Sequence, residues 1–356
     1  MMTIQENIPL KDRTTIRTGG VARYFIRCTT EAEVKAGLTF ARSQELPVLV
    51  MGGGSNLLIA DVGFSGVVLD MALSDLVFAG EHTATVGAGV TWDQFVAEAC
   101  RRGLSGVEAL SGIPGRVGAT PVQNVGAYGQ EVADTISNVR ALNRHTLEIR
   151  EFNNPDCQFA YRHSRFKTTD GAAWIILAVT FTLEAKRLPT LKYEELKKSL
   201  EAVPQWNTAS RPKKILMIRE HVLNIRARKG MVLDEQDPDS RSLGSFFINP
   251  IVDTATLERV MRITNERQLE PKPVAHPAGD NLWKLSAAWL IETSGIKKGQ
   301  YLGNARVSTK HVLALTNPSE TATTAEILAL AELIQHRVHA LFGIMLVREP
   351  ILVTNN

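Results

Sequence analysis

Cysteine is scarce in this 356-residue chain: only Cys28, Cys100 and Cys157 occur. They are odd in number, widely spaced, form no CxxC pair and sit in apolar surroundings, so they read as buried free thiols rather than a disulfide framework. The eight histidines include no HExxH and no His/Cys cluster at ligand spacing, which leaves a metal site without support. No apolar run approaches the ~18 residues needed to cross a bilayer. The opening MMTIQENIPLKDR lacks a signal-peptide core, so the expectation is a cytoplasmic protein with no membrane partner. Charge of one sign is lacking too. Forty basic against 37 acidic residues give +3, too small a surplus to imply a nucleic-acid partner. Lys213–Lys214 and Arg226–Lys229 read first as solvated helix ends. What is present, 44% apolar and 22% charged residues, suits a soluble globular chain of roughly two to three domains.

The first third alternates strand and helix patterns. Ala22–Arg27, Pro47–Met51, Val67–Met71 and Thr83–Val86 read as strands. Thr30 with Glu33 predicts a capping box opening a helix through Ser43, and Thr91 with Gln94 predicts a second before a helix over Trp92–Arg102 that stops at Gly103. Strand patterns return at Ser137–Leu142, Leu147–Phe152 and Trp174–Leu183, and helical ones at Tyr193–Leu200 and Ile215–Arg228. Met231–Ser242 is polar and turn-rich. Beyond it, Ser245–Pro250 reads as a strand start, Ala255–Arg267 and Lys284–Thr293 as helices, and Thr324–Phe342 as a long helix ended by Gly343. Ile344–Val347 and Ile351–Val353 read as terminal strand. The architecture is α+β or α/β.

Two glycine loops are the strongest local signal. Gly52-Gly53-Gly54-Ser55-Asn56 follows an apolar strand, and such a run exposes consecutive backbone amides that can hold a diphosphate without basic side chains. Ser111–Ala119, continuing into Gln123–Tyr128, offers a second small-residue wall with amide and phenol groups. Either loop alone reads equally well as a tight turn; together they favour a dinucleotide with a buried diphosphate. Gly87-Ala88-Gly89 lies where a Rossmann fingerprint would, but Trp92 occupies the third glycine position, and that reading fails. Arg162, in Tyr161-Arg162-His163-Ser164-Arg165-Phe166-Lys167, has a fork suited to a carboxylate, though by composition a surface basic turn is the simpler reading. Ser245 beside Phe246-Phe247 has no GxSxG elbow and reads as the start of a buried strand. Glu349 is a carboxylate out of place in an apolar strand, explained either by a sheet-edge ion pair or by function.

The strings RTGG (17–20), GGGSN (52–56), VGAGVTW (86–92), SGIPGRVGATPVQNVGAYGQE (111–131), YRHSRFK (161–167), GSFFINP (244–250) and the Glu349-Pro350 end occur in order. Together they resemble the UDP-N-acetylenolpyruvoylglucosamine reductase family, flavoenzymes that complete UDP-N-acetylmuramate in peptidoglycan synthesis. The resemblance spans nearly the whole chain, and VGAGVTW is shared with the wider vanillyl-alcohol-oxidase class of FAD domains. It implies an α+β fold: a two-part FAD-binding domain of the vanillyl-alcohol-oxidase type and a C-terminal α/β substrate-binding domain. The implied division is 1–72 for the first FAD subdomain, with 344–356 returning to the active site, 73–225 for the second, and 226–343 for the substrate domain.

It further implies non-covalent FAD, NADPH as reductant and UDP-GlcNAc-enolpyruvate as substrate. The diphosphate loop would be Gly52, Gly53, Gly54, Ser55 and Asn56. Gly115, Val117, Gly118, Ala119, Gln123, Asn124, Gly126 and Ala127 would lie along the flavin. Arg162, Ser245 and Glu349 would be catalytic, and Tyr128, Tyr193, Lys229, Asn249 and Lys284 would touch substrate or NADPH. The segment around Tyr193 suggests the longer, type I form. Two rivals stand beside this reading: another flavin oxidase or dehydrogenase on the same fold, and a nucleotide-binding module without catalysis.

Overall fold

The capping box expected at Thr30 forms in the computed structural model, which describes residues 2–189 and 191–355. The Thr30 hydroxyl accepts from the Glu33 amide at 3.2 Å and the Glu33 carboxylate accepts in return from the Thr30 amide. Helix α1 (Glu31–Ser43) therefore begins with its orphan donors satisfied. It buries Val34, Leu38 and Ala41, one face at helical spacing, in a core shared with Val67, Leu69 and Met71. Those residues belong to a four-stranded sheet ordered Ile4–Pro9, Val21–Cys28, Phe64–Met71, Val48–Met51. Its first pair is antiparallel and the rest are parallel.

A second, five-stranded sheet runs Ile149–Asn153, Ile136–Asn143, Trp174–Thr182, Thr83–Gly87, Leu76–Ala79, antiparallel throughout. Leu142, Ile175 and Leu177 from this sheet join the core beneath α1, so the two sheets are packed together rather than merely tethered. Helix α2 (Trp92–Arg101) covers the other face with Trp92, Phe95, Val96 and Ala99. Its expected capping box does not form: Thr91 makes no side-chain cap. Thr91 is instead bridged to Arg116, and the Trp92 amide donates to the Gly115 carbonyl at 3.0 Å. A first-turn donor is thus satisfied by the second glycine loop.

Helices α3 (Glu194–Glu201) and α4 (Arg211–Arg228) pack on each other, and α4 continues across the 225/226 division expected from sequence. The last third builds its own core from α5 (Thr254–Glu266), α6 (Ala287–Thr293), α7 (Thr324–Phe342) and two small three-stranded sheets. Helix α7 starts on a capping box at Thr323 and Glu326 and ends at Gly343 with φ +68, the left-handed C-cap that glycine provides. Asp61 accepts from the Thr324 amide at 2.7 Å and the Ala325 amide at 3.0 Å. A carboxylate of the first domain thereby caps the α7 N-terminus and locks the last third in place.

Three expected elements differ. Lys284 is not helical: Leu282–Leu285 is a strand paired with Ile251–Asp253, and α6 begins only after Ser286, whose hydroxyl caps it. Ser245–Pro250 and Ile344–Val347 form no strands; an isolated bridge joins Phe247 of the first to Arg348, one residue past the second. Only Ile351–Val353 is a strand at the C-terminus, parallel to Leu57–Ile59.

Candidate active site

The strand Val48–Met51 runs straight into the first glycine loop, and the turn delivers the chain to Leu57–Ile59. A Cβ on Gly53 would stand 2.9 Å from the Gly115 Cα. Only glycine there lets the two loops lie backbone against backbone. Ser55 Oγ donates to the Pro114 carbonyl at 3.0 Å. Arg116 is ion-paired to buried Asp70 and donates to the Met71 carbonyl, fixing the second loop to the first sheet. The two loops line one cavity of about 580 Å³, well within the size range of cofactor sites.

The C-terminal strand brings Glu349 onto the first loop. The Ile351 amide donates to the Asn56 carbonyl at 3.0 Å, and Asn56 Nδ2 donates to the Glu349 carbonyl at 3.4 Å and to Gln123 Oε1 at 3.1 Å. On its other side the same segment is clasped antiparallel. Ile248 N donates to Val347 O at 3.0 Å and Glu349 N to Phe246 O at 2.9 Å. Phe246 and Phe247 are buried in the C-terminal core, so the clasp is anchored, and Ser245, one residue ahead, lines the cavity.

Arg162 reaches the same place from a left-handed backbone position, φ +53. Its Nη2 donates to the Gly126 carbonyl at 2.9 Å. Its Nε stands 3.2 Å from Glu349 Oε1, an ion pair without hydrogen-bond alignment, which leaves guanidinium donors for another anion. Gln123 Nε2 lies 3.4 Å from that same carboxylate oxygen. Burial pushes the Glu349 carboxyl above its ordinary range, opposed by Arg162 and Lys167. Lys167 Nζ donates to the Arg162 carbonyl at 3.1 Å, bracing the turn.

Tyr128 and Tyr193 pack edge to face, ring centroids 5.0 Å apart. Lys229 Nζ sits 6.0 Å and 5.7 Å from those two centroids and 2.7 Å from Glu195 Oε2. Burial depresses the lysine pKa, but Glu195 and the two phenols outweigh it and the net shift is upward. Asn249 lines the cavity, while its Oδ1 accepts from the Ala287 amide at 2.9 Å and so caps the start of α6.

Three expected site residues do not line this cavity. Val117 is fully buried in the core of the second sheet. Asn124 turns inward, donating to Glu131 Oε2 at 2.7 Å and the Ala160 carbonyl at 3.1 Å while accepting from the Ala133 amide, and so holds the loop's shape. Lys284 stays on its strand with Nζ 4.8 Å from the Tyr161 ring centroid. Residues not expected at the site line the cavity too, Arg226 and His311 among them. Arg226 of α4 is buried, donates to the Met231 carbonyl at 2.8 Å and keeps an unpartnered Nε. His311 accepts at Nδ1 from the Leu313 amide at 3.2 Å; burial first, then Lys229, push its pKa down to about 4, so it is neutral near pH 7. Arg226 was visible in sequence as part of a basic run, whereas nothing local marked His311.

Residues 22–148 match a family model described as an FAD binding domain, and residues 236–353 match the C-terminal domain of UDP-N-acetylenolpyruvoylglucosamine reductase. The reductase of Thermobifida fusca is 44% identical over 353 residues, covering 98% of this chain and 97% of that one. The chain belongs to the UDP-N-acetylenolpyruvoylglucosamine reductase family. The reductase of Streptomyces avermitilis is 45% identical over 358 residues, covering 99% of this chain and 96% of that protein. Among solved structures, the reductase of Thermus caldophilus matches with a TM-score of 0.67 and 25% identity, covering 99% of this chain and 100% of that one. As a member of this family the protein is an FAD-containing oxidoreductase, with an FAD-binding domain followed by the family's C-terminal domain.

The residues present fit FAD. Two apposed glycine loops line a cavity whose walls also include the apolar Val50, Met71, Ile175 and Ile176, and the amides of Gly52–Asn56 are not taken up by backbone hydrogen bonds among the described residues. That is a fitting lining for an elongated dinucleotide with a diphosphate at its middle. Among the described residues no group of three or more His, Cys, Asp or Glu side chains is placed to hold a metal ion, and no helix is long and apolar enough to cross a membrane.

Proposed function

We propose that the enzyme reduces UDP-GlcNAc-enolpyruvate to UDP-N-acetylmuramate with NADPH as electron source, in peptidoglycan precursor synthesis. When bound, FAD supplies the hydride, drawn from NADPH, that adds to the terminal carbon of the enolpyruvyl double bond. Negative charge then builds on the adjacent carbon and its carboxylate. Arg162, fixed by Gly126 and Glu349, is oriented to hold that carboxylate with its unused donors, and Lys229 adds a second cation. Ser245 gives its hydroxyl proton to the adjacent carbon from one face, which sets the configuration; solvent restores the proton afterwards. A hydroxyl is a weak acid, so this step depends on a strongly basic enolate and a site closed to water. Glu349 keeps the arginine in place. Tyr128, Tyr193 and Asn249 form the wall against which the sugar nucleotide and NADPH bind.

The domain division we propose is 1–72 and 73–225 for the FAD-binding part and 226–343 for substrate, with 344–356 returning to complete the site. One observation carries the reading. The segments of Arg162, Ser245 and Glu349, remote in sequence, line a single cavity continuous with the paired glycine loops. An alcohol or acid oxidase on the same fold has no use for an arginine–serine–carboxylate set facing the ring. The test is NADPH oxidation by purified enzyme with and without UDP-GlcNAc-enolpyruvate. Oxidation that requires this substrate and yields UDP-N-acetylmuramate is expected. Oxidation that ignores it would overturn the reading.

A further inference from the structure

Beyond the glycine loops, the cavity is lined by residues of both sheets: Val50 and Met71 of the first, and Trp174, Ile175 and Ile176 of the second. Apolar walls of this kind suit an aromatic ring. Arg144, immediately after the strand Ile136–Asn143, lines the same cavity. Its main chain has little freedom. Asn143 is in register with Trp174, the Arg144 amide donates to the Ala173 carbonyl at 2.8 Å, and the Arg144 carbonyl lies 3.4 Å from Arg42 Nη2.

The guanidinium is another matter. Its Nε is shielded from solvent yet meets no acceptor, and no carboxylate pairs with the side chain among the described residues. Burial lowers the arginine's pKa, and no neighbouring charge offsets it. A buried donor left unsatisfied is costly, and native proteins seldom keep one unless a ligand completes it. An arginine with no functional partner would lay its stem on the surface and keep its head in water. Here Nε is shielded from solvent on a residue that lines the cavity.

We propose that Arg144 is a further cofactor-binding residue whose guanidinium engages the adenosine half of FAD. The proposal rests on the orientation given above, with the flavin toward Arg162, Ser245 and Glu349. The adenosine must then lie elsewhere in the cavity, against the walls that the two sheets supply. Its ring nitrogens and ribose hydroxyls supply the acceptors that Nε lacks, and its aromatic face can stack against a guanidinium plane. Trp174 and the apolar pair Val50 and Met71 exclude water from the contact.

The test uses the full chain freed of flavin, with rebinding followed by flavin fluorescence and absorbance. Arg144→Met is expected to raise the FAD dissociation constant by about tenfold or more. FMN lacks the adenosine, so its affinity should stay unchanged. The visible absorption band of the FAD-saturated variant should also stay where the unaltered enzyme has it, because the ring's surroundings are untouched. Unchanged FAD affinity, an equal loss for FAD and FMN, or a shifted flavin band would overturn the assignment. Should Arg144→Met fail to fold, Arg144→Lys keeps the charge and stem, and a smaller loss confined to FAD is expected. The Ser245 proton-donor reading is judged separately, from substrate turnover at saturating FAD, so either idea can fail without the other.

Discussion

The Glu349 amide donates a 2.9 Å hydrogen bond to the carbonyl of Phe246. This bond joins two segments that the sequence separates by most of the C-terminal domain. It places a buried carboxylate and the loop carrying Ser245 on one side of the cavity. Because Glu349 is also tied to Asn56 and paired with Arg162, the C-terminal segment acts as a clasp holding the first glycine loop and the Arg162 turn to the C-terminal domain.

Burial raises the Glu349 pKa despite Arg162 and Lys167. For a carboxyl raised in the folded state, the stability contribution is fully present below the unfolded pKa and is lost as pH rises through the folded value. Glu349→Gln removes that loss. The variant should therefore melt at a higher temperature than the unaltered enzyme near pH 7, with the advantage vanishing as pH falls below the ordinary carboxylate range. Turnover should decrease, since a functional group has been traded for stability. Thermal denaturation across this pH span checks the sign; a variant less stable at every pH would contradict it.

Arg162→Ala should slow reoxidation of the reduced enzyme by the enolpyruvyl substrate on the order of 100- to 1,000-fold, the usual cost of losing one preorganised charge-stabilising donor. Flavin content should not change. Arg162→Lys should recover only part of the loss, because a point charge cannot make the bidentate contact. Stopped-flow absorbance of the flavin reads both results. A variant that purifies without flavin would instead make Arg162 a cofactor contact.

The sequence reveals elements whose signals are local. Thr30 with Glu33 and Thr323 with Glu326 make capping boxes from neighbouring residues alone. Thr91 carries the same lettering, yet Gly115, remote in sequence, satisfies the α2 donor instead. Lys284 fits a helical pattern until Ile251 pairs with it across a sheet. The same limit governs the site. The glycine loops are legible because their chemistry is backbone chemistry in one continuous run, and motif resemblance supplies Arg162, Ser245 and Glu349. His311 and Arg144 carry no local signature. Each reaches the cavity through tertiary packing: His311 through a turn held by Leu313, Arg144 through its amide's bond to the Ala173 carbonyl, next to the paired Asn143 and Trp174.

The proton-donor assignment is tested most directly by Ser245→Ala, with the two half-reactions followed separately by stopped-flow. Reduction of the bound flavin by NADPH should proceed at nearly the unaltered rate. Its reoxidation by UDP-GlcNAc-enolpyruvate should slow on the order of 100-fold or more, as expected on removal of a general acid. Equal slowing of both halves, or reoxidation at the original rate, would contradict the account.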